Sequence, residues 1–107
     1  MKIISIANDF SVFPGGRLKK NGNWSGEEFR ESILIPAINA GEPFVIDMDG
    51  VKGYPPSFLE EAFGGLVRGG YSEEKLRSIM SLKCSRQSRI EEVWYYIKTE
   101  ADQLQVN

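Results

Sequence analysis

The run Pro43-Phe44-Val45-Ile46-Asp47-Met48-Asp49 constrains the fold more than any other segment, because it is apolar over the length of one strand and ends in two carboxylates. So continuous an apolar stretch reads as a central strand, mid-sheet and covered on both faces. The turn-rich segment Gly50 to Pro56 follows, and then Leu59, Ala62, Phe63, Leu66 and Val67 recur at helical spacing before Gly69-Gly70 closes the helix. A strand that feeds a helix in this way is a building unit of layered α/β domains.

Similar signals flank the unit. Lys2 to Ala7 reads as a strand, Pro14-Gly15-Gly16 as a turn, and Arg17-Leu18-Lys19 as a further short strand. Ser25 with Glu28 forms a capping box, and Trp24 and Phe29 occupy hydrophobic-staple positions, so a helix begins near Gly26. Its buried stripe is expected at Phe29, Ile33, Ala37 and Ala40, with a kink at Pro36 and a stop at Gly41. Ser57 with Glu60 gives a second capping box, Ser72 to Arg77 a short turn of helix, and Ile79 to Cys84 another strand. Ser88 with Glu91 opens a final helix lined by Ile90, Val93, Trp94, Ile97, Ala101 and Leu104, and the tail Gln105-Val106-Asn107 is expected to fray. The fold class expected is α/β: a mixed sheet of about four strands packed against three to four helices. The 107 residues suit one core, so residues 1–107 read as one domain.

Composition narrows the function. The chain has no histidine, which removes the commonest general base, the Ser-His and Cys-His pairs and the usual metal ligand. Cys84 is the only cysteine, so neither an intrachain disulfide nor a thiolate zinc site can form. These gaps argue against an enzyme, a metal site or a cofactor. A net charge of −2 provides no field for collecting nucleic acid, and no segment reads as a membrane span or targeting signal. A cytoplasmic location follows as the expectation. Lys83, Arg86 and Arg89 near Trp94, Tyr95 and Tyr96 have the residue types of a nucleic-acid surface, but Glu91 and Glu92 interrupt them and a solvated helix face is the simpler reading.

Three groups could bind or be modified. Asp47 and Asp49, two apart on a strand, share a face and could hold a cation, or Asp49 could simply cap the turn at Gly50. Gly15, Gly16 and Arg17 could offer amides and a guanidinium to an anion, or form a plain turn. Ser57 could cap its helix, or carry a phosphoryl group favoured by the helix dipole. Gly64-Gly65 inside a helix costs about 1 kcal/mol per glycine, so close packing against the sheet or a partner should require the space.

The segment from Asp47 to Leu66, DMDGVKGYPPSFLEEAFGGL, together with Pro14-Gly15-Gly16-Arg17 and Ser25-Gly26-Glu27-Glu28-Phe29, resembles a bacterial family of STAS-like domains of unknown function. The element order is also similar to that of the wider STAS superfamily, which includes anti-sigma factor antagonists. The resemblance implies a regulatory module that binds a partner protein, with a kinase-type ATPase as the candidate partner. In the antagonists an Asp-Ser-Ser-Gly motif opens the helix after the central strand, and its second serine is phosphorylated. Ser57 falls at that serine position, while Pro55, Pro56 and Phe58 depart from the motif. The partner-binding residues so implied are Tyr54, Pro55, Pro56, Ser57, Phe58 and Glu61. Two alternatives accompany this reading: a self-associating subunit, such as a homodimer, and a small-ligand or nucleotide binder using Arg17, Asp47 and Asp49.

Overall fold

A computed structural model describes residues 2–106. The apolar runs become three strands, β1 (Lys2–Ser5), β2 (Phe44–Asp47) and β3 (Met80–Lys83). They lie in the order β1-β2-β3, and both pairings are parallel. The sheet is therefore parallel rather than mixed, and among the described residues it has three strands. The fourth strand expected at Arg17-Leu18-Lys19 does not form; Lys19–Asn21 is a turn of 3-10 helix instead. With Leu18 as its only apolar side chain, that segment has little to bury against a sheet.

The first strand is shorter than its apolar run because Ser5 caps a helical turn, α1 (Ile6–Asp9): its Oγ accepts from the Asn8 N–H at 3.1 Å, and Asp9 Oδ2 accepts from the Ser5 N–H at 2.8 Å. Residues 26–39 form helix α2, which contains a π turn at Arg30–Leu34 between α-helical ends. Ser25 caps it as expected, accepting from the Glu28 N–H at 3.0 Å, while Glu28 accepts from the Trp24 N–H. The π turn moves the buried stripe to Phe29, Leu34, Ala37 and Ile38, leaving Ile33 partly exposed and Ala40 exposed. A step of five from Phe29 to Leu34 is what one widened turn produces, and it lies just ahead of Pro36, which has no N–H to donate.

Residues 56–68 form helix α3, again with a π turn, at Glu60–Gly64. Residues 62–67 are all buried, so α3 is the central helix. Its cap residue is Pro55 and no side chain caps it, so Ser57 lies inside the first turn and the capping box expected with Glu60 is absent. After Gly69 and Gly70, Ser72 caps α4 (Glu73–Ile79), and α5 (Gln87–Val106) closes the chain. Ser88 likewise falls within α5 and not at its cap. The helix includes Gln105 and Val106, while Asn107 lies outside the described residues.

In a parallel sheet of order 1-2-3, the right-handed rule for crossovers puts α2 and α3 on the same face. Burial agrees: Ile4, Phe44, Ile46 and Met80 point into the helical layer, whereas Ile3, Ser81 and Lys83 on the other face are exposed. Strand β2 is mid-sheet but covered on one face, and its burial alternates along the strand. Val93 and Ile97 of α5 and Leu76 and Ile79 of α4 complete the core. No helix among the described residues is long and apolar enough to cross a membrane.

Candidate functional site

In a parallel sheet, ligands and partners meet the loops that leave the carboxyl ends of the strands. Here those ends are Ser5, Asp47 and Lys83, which stand in register. Asp47 Oδ1 accepts from the Asp49 N–H at 3.0 Å, and its Oδ2 lies 3.6 Å from Lys83 Nζ. Asp49 Oδ1 accepts from the Ser85 N–H at 2.8 Å, tying the loop after β2 to the loop after β3. That bond holds the Asp49 carboxyl below its ordinary value. Both aspartates thus fasten loops, and among the described residues no three potential ligands gather for a metal.

Arg17 lies elsewhere, against α3. Its guanidinium contacts Glu60 and, at 3.1 Å, Glu61. Arg68 pairs with Glu60 at 2.7 Å and with Glu100 of α5 at 3.3 Å, and Arg30 pairs with Glu61 at 2.7 Å and donates to the Glu61 carbonyl. Burial pushes the Glu60 and Glu61 carboxyls up, but hydrogen bonds from Arg68 and Arg17 to Glu60, and from Arg30 and Arg17 to Glu61, outweigh it and hold both below the ordinary value. Of the amides expected to cradle an anion, the Gly15 N–H donates to the Trp24 carbonyl, and the Gly16 and Arg17 carbonyls fasten the turn to α2 by accepting from its first N–H groups. Arg17 is therefore an anchor for its own loop, and the structure does not bring it together with Asp47 and Asp49.

The Gly64-Gly65 pair has its explanation in this cluster. A Cβ on Gly65 would lie 2.1 Å from Arg30 Nη1, and one on Gly64 would lie 2.6 Å from Glu60 Oε2. Gly26 of α2 approaches α3 as closely, since its Cβ would stand 2.4 Å from the Phe58 carbonyl oxygen. Side chains and backbone of the chain itself fill the space.

The residues implied for partner binding separate into two sets. Phe58 is fully buried, packed among Phe10, Phe29 and Tyr54, and Glu61 is held by Arg17 and Arg30. Neither is free to meet a partner: the helical period turns both toward the body of the molecule. Tyr54, Pro55, Pro56 and Ser57 remain at least partly exposed. The Tyr54 hydroxyl donates to the Met48 carbonyl at 2.7 Å, and burial of the phenol pushes its pKa up, which keeps it a donor. The Ser57 hydroxyl makes no hydrogen bond to another described residue.

Beside Tyr54 stands a feature that no periodicity announced. Phe13 is 66% exposed, and with Pro14, Lys52, Gly53, Tyr54 and Pro55 it lines an open cleft of about 480 Å³. The Lys52 N–H donates to the Val12 carbonyl at 2.9 Å and joins the two loops. Trp24, also exposed, adopts a left-handed backbone conformation (φ 61°) that is strained for a bulky residue, and its ring stacks edge-on to Phe10. A second cavity of about 240 Å³ adjoins the first through Lys52, Gly53 and Tyr54, and Asp49, Arg86 and Arg89 are among its other walls. Arg89 lies over the Tyr54 ring at 5.3 Å. The aromatics near these cations in sequence go elsewhere: Trp94 takes Arg77 on its face and Tyr96 donates to Glu92.

Residues 25–86 match the model of a family described as a STAS-like domain of unknown function, a stretch that holds α2, β2, the Gly50 to Pro55 loop, α3 and β3. No curated protein and no solved structure matches the chain.

Proposed function

We propose that this chain, which belongs to the family of STAS-like domains of unknown function, is a cytoplasmic regulatory module that docks a partner protein at the carboxyl ends of its strands and performs no chemistry of its own. The observation that carries the reading is Phe13, a large apolar side chain left 66% exposed across a cleft from Tyr54 and Pro55. Exposed aromatics beside a preformed cleft are the side chains that anchor protein interfaces. A kinase-type ATPase is the partner class to which the family resemblance points.

Ser57 suits a switch for the same surface. Its hydroxyl is not spent as a helix cap, and it follows Pro55 and Pro56 at the cleft's edge, in the first turn of α3 where the dipole favours negative charge. The test is capture from native cells by tagged wild type, Phe13→Asp and Ser57→Asp chains, with intact mass recorded for the wild type. A protein retained by the wild type and lost from Phe13→Asp, at unchanged thermal stability, supports the docking surface. Equal capture by both chains rejects it, and an unmodified wild-type mass rejects phosphorylation of Ser57.

Self-association is a second reading, favoured by the sheet face opposite the helices, where Ile3 is 62% exposed. Parallel sheets normally carry cover on both faces, and a second copy would supply it.

A further inference from the structure

We infer that the docking segment of the partner is acidic, and that it sets an aromatic or large aliphatic side chain beside one or more carboxylates. This rests on the docking surface proposed above and adds the chemistry of what docks there.

Two adjoining cavities of opposite character carry the inference. The cleft at Phe13, Pro14, Tyr54 and Pro55 is mainly apolar, whereas the cavity that shares Lys52, Gly53 and Tyr54 with it also has Arg86 and Arg89 in its walls. Lys52 and Arg86 are exposed and form no ion pair with another described residue. Arg89 has one carboxylate, Glu92, at 2.9 Å. Asp49, the acid in the wall of this cavity, accepts from the Ser85 N–H through Oδ1. A chain whose net charge is −2 thus places two cations without an ion pair, Lys52 and Arg86, against the single carboxylate of Asp49 in one cavity, beside its most exposed phenylalanine.

A carboxylate placed against Lys52 and Arg86 gains charge-assisted hydrogen bonds without displacing an existing partner. A small free anion would engage the cations but leave the apolar cleft in water. An apolar segment without charge would fill the cleft and leave the cations unmatched. A peptide bearing both groups satisfies both surfaces.

The experiment pans phage-displayed random dodecapeptides on the immobilised full chain, then measures the recovered peptides by calorimetry at low and high salt. The targets are wild type, Phe13→Ala and the double variant Lys52→Glu/Arg86→Glu. All three substituted side chains are exposed, so thermal melting serves as the control for folding. The expected result is recovery of peptides that pair Asp or Glu with Phe, Trp, Tyr, Leu or Ile. Their affinity should fall at least tenfold in each variant and weaken as salt is raised. Peptides that need Phe13 yet show no acidic bias, and bind the charge-reversed chain equally well, overturn the acidic partner while the docking surface stands. Recovery of no peptide that depends on Phe13 overturns both. Displacement of the peptides by millimolar inorganic phosphate, with binding insensitive to Phe13→Ala, identifies a small-anion site and also overturns the inference.

Discussion

Phe58 has no exposed surface and packs its ring 5.8 Å from that of Phe29 and 6.2 Å from that of Tyr54, whereas Phe13 leaves most of its ring in solvent. Phe58→Ala should therefore cost about 3–5 kcal/mol through lost burial and the cavity left behind. Phe13→Ala should stay within about 0.5 kcal/mol, the usual range for a surface site. Urea denaturation of the two variants checks the pair, and equal losses would mean that Phe13 belongs to the core. The sequence left Phe13 without a face, because it lies beside Pro14-Gly15-Gly16 where no period holds, whereas Phe58, four residues before Ala62, stands in step with the buried stripe of α3. Ser57 was misread for a more local reason. Pro56 suits the first helical position, which sets the cap at Pro55 and leaves Ser57 at the second helical position, two residues past the cap. The signal was present, but the serine-to-glutamate spacing concealed it.

At the scale of elements, the helices were legible wherever the 3.6 period held and illegible where a π turn broke it. Leu34 took the place expected for Ile33, and nothing in residues 30–34 advertises the wider turn. Arg30 crosses from that turn to the other π turn, where it pairs with Glu61; both side chains are largely buried, at 15% and 13% exposure. Without Arg30 the Glu61 carboxylate keeps Arg17 but loses its nearer partner, and the Glu61 carbonyl loses its donor, so Arg30→Ala should cost about 2 kcal/mol, less than breaking an isolated buried pair. Gly65→Ala, which crowds the same guanidinium, should cost about 1–3 kcal/mol. Acid titration provides an independent check. Because the folded chain holds Glu60 and Glu61 below the ordinary value of 4.5, their contribution is complete above that pH and is lost as pH falls through the lowered folded values. Glu61→Gln, which has no carboxylate to protonate, should melt below wild type at pH 7, and the two melting temperatures should converge toward pH 3. Parallel melting curves across that range would show that the cluster contributes no pH-dependent stability.

For the molecule as a whole, the strand-helix alternation in the sequence sufficed to indicate an α/β layer, and the pairing of the strands was the part it left open. A run such as Phe44 to Asp47 fits a strand buried on two faces or on one, since Val45 is apolar on the side that the helices do not reach. That open face decides between the two readings of function. Its middle row is Ile3, Val45 and Ser81, and its next row is Ser5, Asp47 and Lys83. Only two apolar residues among these six, beside an Asp47–Lys83 contact that solvent can stabilise, make a poor dry interface. The wild-type chain is accordingly expected to sediment as a monomer across the micromolar range, and Ile3→Lys should change neither its mass nor, beyond about 0.5 kcal/mol, its stability. Sedimentation equilibrium at several concentrations measures this directly. A dimer that Ile3→Lys dissociates would move the working surface from the strand ends to the sheet face, and self-association would replace partner docking as the first reading.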